Sequence, residues 1–323
     1  HGGDSLAPST LSAFDRGAHM IALLNDFDLV AMAAAKREFA FGEDELTLRS
    51  HEAGFPLLSN NVHDPISGAG LEGLTDRAEV LVGDRLLCVA ASVSQELQAT
   101  YMPRRVEALD PVASTRSTAA ALRDDGCDIV VAMFGSVESQ QESLVQEGLV
   151  DLIISAESHS QQRIEETPRG TWVTLRPTVP TAVLAEIAVD GDAPCGVCAT
   201  ELIPLDTAPV DPDFQASLDT HRAKLADILT TPVGITDTPL DTRRGTVRTR
   251  EAAFGNLVAD ALRDVIGADI ALINSGGIRG NRQYAPQSIL TRGDIQSELP
   301  FRNRVVRLEL TGAQLWAALE NGL

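Results

Sequence analysis

The chain has 323 residues, of which 44% are hydrophobic and 4% aromatic, and its formal net charge is −20. This length accommodates two domains, and the few aromatic residues predict cores built mainly from Ala, Leu, Val and Ile. The negative charge argues against nucleic-acid polymers and anionic membrane surfaces as partners, because both would repel the protein. No apolar run in the sequence is long enough to span a bilayer.

The first two thirds of the chain alternate between helical and strand patterns. Helices are predicted at 18–25, 44–53, 111–124 and 139–147, and buried strands at 29–32, 57–60, 129–133 and 152–155. This alternation favours an α/β sheet with helices on its faces. Ligand sites in such sheets gather at the carboxyl ends of strands. The residues at those ends are Asp4, Lys36, Met133 and His159.

The alternation stops at 202–212, where three prolines lie among acidic residues. A helix is predicted over 213–229, and we therefore place the domain boundary here, between 207 and 208. The second domain, 208–323, continues with a predicted helix, a strand, a Gly-rich loop and a strand-helix tail. The first three of these lie at 252–266, 269–273 and 274–279.

The four cysteines divide into two pairs of different character. Cys88 and Cys127 lie in apolar runs, which predicts two buried thiols. Cys195 and Cys198 form a C-x-x-C on a turn, which indicates a local disulfide in an oxidising compartment or, alternatively, two free thiols.

Four segments resemble signatures of the bacterial bifunctional metallophosphoesterase/5′-nucleotidase family: 55–62, 251–261, 274–279 and 299–303. The resemblance implies a metallophosphoesterase-like sandwich domain over 1–207, which in the family holds two metals. It also implies a 5′-nucleotidase C-terminal-type α/β domain over 208–323, which supplies a nucleoside pocket and a phosphate-binding arginine. This second domain lacks the family's downstream segment with its base-stacking aromatic residue. The family further implies a periplasmic or extracellular location, although no signal peptide is visible.

The resemblance carries the family's metal site over unevenly. Asp4 and His159 keep the residue types of metal ligands, and the family's first Asp-x-His motif would precede residue 1. The remaining matched positions are changed or only partly kept. Lys36 replaces a ligand Asn, Met133 and Glu157 replace ligand His residues, Arg37 replaces the His that stabilises the transition state, and Glu38 is retained.

These replacements are unfavourable to a dinuclear metal centre. A protonated lysine has no lone pair to donate, and a thioether is a poor ligand for Mn, Mg or Ca. We therefore expect no cofactor and assign no catalytic residue among Lys36, Arg37 and Glu38. We expect Lys36 or Arg37 to form an ion pair with Asp4 or Glu157, with Glu157 as the one added residue able to ligate. Alternatively, the two cations point to solvent or bind a phosphate directly.

The C-terminal signature keeps the residue types that the family uses for substrate. By resemblance, Arg279 would contact phosphate, and Phe301 with Asn303 would line the nucleoside pocket. The predicted substrate-binding residues are Asn274, Gly276, Gly277, Arg279, Phe301 and Asn303. The alternative is a turn that merely requires glycine, with Arg279 solvated. Trp172, Tyr284 and Trp316 are interpreted as packing residues.

The resulting hypothesis is a family member with a dismantled metal site that serves binding or assembly without catalysis. One alternative is an active metal-dependent 5′-nucleotidase or phosphoester hydrolase that uses Mn, Zn, Mg or Ca in an altered set. A second alternative is a structural subunit of a larger complex. The expected partners are a nucleotide or nucleoside and another protein.

Overall fold

A computed structural model gives the fold of the protein and describes residues 1–156, 161–187, 197–301, 303 and 305–322. The chain divides into two compact units, His1–Leu225 and Ala226–Leu323. The division falls inside a helix, Pro212–Leu229, and so lies later in the chain than the predicted boundary at 207/208.

The first unit contains helices, strands and one 3-10 helix, Lys36–Phe41. The helices are α1 Ser12–Asp15, α2 Ala18–Leu24, α3 Glu43–Glu52, α4 Glu96–Tyr101, α5 Pro111–Asp124, α6 Ser143–Gln146 and most of α7 Pro212–Leu229. The strands are β1 Met32–Ala33, β2 Leu57–Leu58, β3 Val62–His63, β4 Leu74–Thr75, β5 Arg77–Val82, β6 Arg85–Ser92, β7 Glu107–Ala108, β8 Ile129–Phe134, β9 Leu152–Ala156, β10 Arg163–Thr167, β11 Gly170–Leu175, β12 Thr181–Ile187 and β13 Val197–Pro204.

A six-stranded sheet in the order β10-β11-β9-β8-β6-β5 forms the centre of this unit. Its inner strands β6, β8, β9 and β11 are parallel, and its two edges pair antiparallel. Every residue of β8 is buried, as expected of a strand with both faces covered. The predicted buried strands at 129–133 and 152–155 are therefore confirmed.

The two faces of this sheet pack against different layers. Side chains alternate along a strand, so on β6 Cys88 and Ala90 lie in a core with α5 and α6, while Val89 and Ala91 lie in a core with β1 and β2. The strands β1, β2 and β4 form a second, parallel sheet. The far side of that sheet is covered by α2, α3 and α4. The unit is thus a mixed α/β sandwich of two sheets between helical layers, which confirms the predicted fold class.

Most predicted helices of the first unit are present, two predicted elements are shorter, and the strand predicted at 29–32 lies later in the chain, at β1 Met32–Ala33. The helices α2, α3, α5 and α7 agree with prediction to within about a residue. The helix predicted at 139–147 shrinks to α6, because Gln140 takes a positive φ of 66° that a helix cannot continue through. The strand predicted at 57–60 ends at Leu58, since the Asn60 amide turns to donate to the Ala91 carbonyl of β6.

The prediction of two buried thiols at Cys88 and Cys127 is correct in their burial and wrong in their bonding. These residues are 0% and 5% exposed, so the apolar runs correctly indicated burial, but they form a disulfide with a Cα–Cα distance of 6.0 Å. Cys198 is also disulfide-bonded, and Cys195 lies outside the described residues. Such bonds are typical of proteins in oxidising compartments.

The second unit contains the helices α8 Arg244–Val247, α9 Ala253–Ile266, α10 Arg292–Glu298 and α11 Gly312–Gly322, and the strands β14 Pro232–Ile235, β15 Leu240–Asp241, β16 Gln283–Tyr284 and β17 Ile289–Thr291. A 3-10 turn, Ser275–Gly277, lies between α9 and β16. The hydrophobic core of this unit contains Phe254, Tyr284 and Leu290. The helix predicted at 252–266 is confirmed as α9.

The strand predicted at 269–273 is wrong. Within the described part of the chain this segment has no ladder partner, and Ile270 and Leu272 are 54% and 59% exposed. Alternating apolar residues favour a strand only where another strand accepts its hydrogen bonds. No strand forms at 305–311 either. Trp172 and Tyr284 pack as predicted, whereas Trp316 is 68% exposed.

Candidate functional site

The turn that carries Asp4 requires an unusual backbone. Gly3 and Asp4 have φ values of 79° and 59°, both in the left-handed region. A Cβ on Gly3 would lie 2.4 Å from the Ala33 carbonyl oxygen, so only glycine fits there. This turn aims the amide groups of residues 4–6 at one carboxylate.

That carboxylate belongs to Glu38, which is 1% exposed. It accepts four backbone hydrogen bonds, from Asp4 (2.9 Å), Ser5 (2.8 Å), Leu6 (3.2 Å) and Ala35 (2.9 Å). Burial, and next the negative charge of Asp4, raise the pKa of the Glu38 carboxyl from 4.5 to about 7, against the lowering effect of the backbone donors. Glu38 therefore fixes the Asp4 turn onto the 3-10 helix Lys36–Phe41.

The predicted contact between a cation and Asp4 is confirmed for Arg37. Its Nε lies 3.7 Å from Asp4 Oδ2, and its backbone N–H donates to Asp4 Oδ1 at 3.0 Å. Lys36 pairs instead with Glu96 at the start of α4, a partner that the sequence reasoning missed. Glu157 and His159 lie outside the described residues, so the predictions made for them stay predictions.

The described donor set does not fit a dinuclear metal centre. Both oxygens of Asp4 face Arg37, the Lys36 ammonium is turned to Glu96, and Met133 is 8% exposed in the core between the two sheets. Across the described residues, no three His, Cys, Asp or Glu side chains are grouped so that they could hold a metal.

The second candidate site is the Gly-rich turn after α9. The Gly277 amide donates to the Asn274 carbonyl at 3.0 Å, which closes the turn. A Cβ on Gly276 would lie 3.1 Å from Asn274 Nδ2 and 3.4 Å from Arg248 Nη2. The backbone of Gly276 is thus approached closely by a guanidinium. Sequence reasoning missed Arg248, although it stands three residues before Glu251, the first residue of a recognised signature.

Arg279 and Phe301, both predicted to bind substrate, are brought together. The Arg279 guanidinium carbon lies 5.1 Å from the centroid of the Phe301 ring, within cation–π range. The Arg279 amide donates to the Glu298 carbonyl at 2.8 Å. Asn303 is exposed. The turn therefore presents two arginines and one aromatic ring.

Glu298 is fully buried and stabilises this turn through its hydrogen bonds. Its carboxylate accepts from Tyr284 Oη (2.8 Å), Thr242 Oγ1 (2.9 Å) and the Gly280 amide (3.0 Å), and lies 3.5 Å from Arg282 Nε. Burial, followed by the hydrogen bond to Glu298, raises the pKa of the Tyr284 hydroxyl. Because Gly280 has no Cβ, the carboxylate can approach its backbone directly.

Comparison with known proteins identifies the second unit. Residues 230–322 match the family described as 5′-nucleotidase, C-terminal domain. The chain belongs to the 5′-nucleotidase family. This membership agrees with the order of the sequence signatures and with the two-unit α/β fold.

Relatives of this 5′-nucleotidase-family chain extend over both units. The trifunctional nucleotide phosphoesterase protein YfkN of Bacillus subtilis is 36% identical over 138 residues, which cover 40% of this chain and 9% of the relative. Human 5′-nucleotidase is 23% identical over 345 residues, covering 95% of this chain and 60% of the relative. The chain thus spans less than two thirds of the length of these relatives.

Solved structures show the same fold. A 5′-nucleotidase precursor from Thermus thermophilus superposes with a TM-score of 0.73 at 22% identity, covering 99% of this chain and 68% of that one. The calcineurin-like phosphoesterase YfkN from Bacillus subtilis superposes with a TM-score of 0.56 at 14% identity, covering 70% of this chain and 83% of that one.

Proposed function

We propose that this chain binds a nucleoside monophosphate without hydrolysing it. The observation that carries the proposal is the contact of Arg37 with both oxygens of Asp4. A cation about 4 Å from a second cation costs about 4 kcal/mol at an effective dielectric of 20. A metal ion bridging from Asp4 would meet this repulsion from Arg37. The ion pair takes over the neutralisation of Asp4.

The binding half of the proposal rests on the turn Asn274–Arg279. Arginine is suited to phosphate because its guanidinium donates two parallel hydrogen bonds. Arg248 lies against the Gly276 backbone, and Arg279 lies beside Phe301. We expect these groups to hold a nucleotide with modest strength, about −5 kcal/mol or weaker, because no metal contributes.

Calorimetry with AMP and adenosine tests the binding half. Arg279→Ala should weaken AMP more than adenosine, since the guanidinium would contact only the phosphate. Arg263→Ala is the matched control, because Arg263 is a half-exposed arginine of α9 paired with Asp260 at 3.0 Å. Equal loss of both ligands in Arg279→Ala would mean that the residue only holds the turn. Absence of binding by either ligand would overturn the proposed function.

Metal analysis after dialysis, combined with a phosphate-release assay on AMP, tests the non-catalytic half. We expect no turnover and no stoichiometric metal at the Asp4 turn. The similarity to relatives named phosphoesterase and 5′-nucleotidase favours the alternative of an active hydrolase with an altered metal set. Turnover that depends on bound Mn, Zn, Mg or Ca, and that Asp4→Asn abolishes, would establish that alternative.

We also propose a periplasmic or extracellular location. Its support is the buried Cys88–Cys127 disulfide and the disulfide-bonded Cys198, since cytosolic thiols are kept reduced. In the described part of the chain, no helix has both the length and the apolar character to cross a membrane. Mass spectrometry of protein isolated from its native cells, and alkylated after denaturation without a reductant, should find Cys88 and Cys127 unmodified.

A further inference from the structure

A cleft in the first unit belongs to neither candidate site. It lies between helices α2 and α7 and has a volume of about 400 Å³. Ile21 and Leu225 contribute apolar walls, while His19 and His221 face the cleft from the two helices. This size is that of a small-molecule or hydrated-ion site.

His19 is held in one orientation by a carboxylate. It is 3% exposed, and its Nδ1 lies 2.8 Å and 3.0 Å from the two oxygens of Asp15. Asp15 is itself fixed by the backbone N–H groups of Gly17 and His19, each at 3.0 Å. Because a carboxylate can only accept, Nδ1 carries the proton in the neutral ring, and the Nε2 lone pair is available.

The Nε2 atom of His19 makes no hydrogen bond to any residue within the described ranges. A histidine with a carboxylate behind Nδ1 is the arrangement that orients metal-binding imidazoles and raises their basicity. The conformation of His19 is therefore set in advance for a ligand that accepts a nitrogen lone pair.

His221 supplies a second imidazole across the cleft. The two ring centroids are 6.3 Å apart, with the planes tilted by 55°. With Zn–N distances of about 2.1 Å, two imidazoles on one tetrahedral ion have centroids roughly 5 to 5.5 Å apart. The observed separation is about 1 Å wider, so a small movement of the half-buried His221 toward His19 would bring both rings onto a single ion.

We propose that His19 and His221 form a binding site for a divalent transition-metal ion of the Zn²⁺ class, which ties α7 to α2. Imidazole nitrogen suits Zn²⁺, Ni²⁺ and Cu²⁺ better than Mg²⁺ or Ca²⁺. The protein supplies two ligands, since no group of three metal-binding side chains occurs among the described residues, and water completes the shell.

Two charged side chains on the rim modulate this site. Glu52 also lines the cleft, but it is paired with Arg49 at 2.9 Å. Lys224 lines the cleft from α7 and is exposed. Its ammonium would repel a bound dication, so Lys224→Gln should tighten metal binding.

Calorimetric titration of the full chain with Zn²⁺ tests the proposal, with thermal unfolding as a second readout. We expect one ion whose affinity falls more than tenfold in His221→Ala, and a Zn²⁺-dependent rise in Tm that this variant loses. Asp15→Asn should weaken binding about 10- to 100-fold through His19. His51→Ala, at an exposed histidine of α3, should leave the affinity unchanged.

Three outcomes would overturn the inference. One is equal Zn²⁺ affinity in the parent and His221→Ala, and another is no binding up to about 1 mM. The third is a loss in His1→Ala alone, which would place the ion at the His1 imidazole. His221 is only half-buried, so its variant decides the question even where the buried His19→Gln fails to fold. Asp4→Asn serves as a background in which this site should persist, which separates it from the Asp4 turn.

Discussion

The turn that carries Asp4 (the Asp4 turn) and the Gly-rich turn Asn274–Arg279 (the Gly276 turn) share one kind of support but differ in the groups that they hold. Each is held by a fully or almost fully buried glutamate, Glu38 in the first unit and Glu298 in the second. At the Asp4 turn both carboxylate oxygens of Asp4 contact Arg37. At the Gly276 turn Arg248 lies against the backbone of Gly276, and Arg279 lies beside the Phe301 ring. The difference shows that the same kind of buried support can carry either a paired carboxylate or a group of cationic side chains.

The two glutamates also differ in what they accept. Glu38 receives four backbone N–H groups beside the negative charge of Asp4. Glu298 receives two hydroxyls and one amide and has Arg282 as a counter-ion. We therefore expect the Asp4 turn to respond to pH near neutrality.

The largest expected effect is the loss of stability when the support of the Gly276 turn is removed. In Gly280→Ala the new Cβ would fall 2.0 Å from Glu298 Oε1, so the carboxylate must leave its donors. We expect the free energy of unfolding to fall by about 3 kcal/mol. Urea denaturation followed by circular dichroism measures it. Gly245→Ala, whose Cβ would meet nothing within 4 Å, is the control, and equal stability of both variants would contradict the role of Glu298.

The next effect separates the two glutamates by pH. The raised pKa of Glu38, about 7 against 4.5, means that the folded state binds more protons than the unfolded state between these values. Stability should therefore fall as pH rises through this window, by an amount on the order of 3 kcal/mol. Urea denaturation at pH 5 and pH 8 measures the loss. Glu38→Gln should remove that component, and an unchanged pH slope in this variant would assign it to other groups.

A smaller effect sharpens the view of the Gly276 turn as a binding surface. In Gly276→Ala the Cβ presses on Asn274 Nδ2 and Arg248 Nη2, which must shift by a few tenths of an ångström. We expect AMP binding to weaken about threefold to tenfold, that is by about 1 kcal/mol. The neighbouring Gly277→Ala, with its nearest contact at 3.6 Å, should bind AMP more tightly than Gly276→Ala. If Gly276→Ala instead bound AMP more tightly than Gly277→Ala, Arg248 would not be part of the AMP site.

The smallest effect concerns the ion pair at the Asp4 turn. Arg37 and Asp4 are 45% and 27% exposed, so solvent screens their attraction. Arg37→Ala should change the free energy of unfolding by less than about 1 kcal/mol. Thermal and urea unfolding provide the measurement, and a loss of several kcal/mol would mean that the pair supports the fold as well as neutralising Asp4.

Sequence by itself determined the elements whose signals are local. Helix α5 begins at Pro111 because Pro suits the first helical position and Asp110 caps it, accepting from the Ala113 amide at 2.7 Å. The run of β8 is buried on both faces, and its apolar content is readable without knowing its neighbours. The family resemblance predicted that Lys36 or Arg37 would pair with Asp4 or Glu157, and the pair that forms among the described residues is Arg37 with Asp4.

Tertiary structure alone decided the contacts that join distant segments. Lys36 meets Glu96 across 60 residues, Cys88 meets Cys127 across 39, and Arg248 reaches Gly276 from the end of helix α8. The segment 269–273 shows the converse, since its pattern suits a strand but no described strand pairs with it. Local sequence fixes backbone preference and burial over a few residues. Which groups come into contact depends on how the sheets and their helices pack, because residues that are distant in sequence become neighbours only in the folded chain.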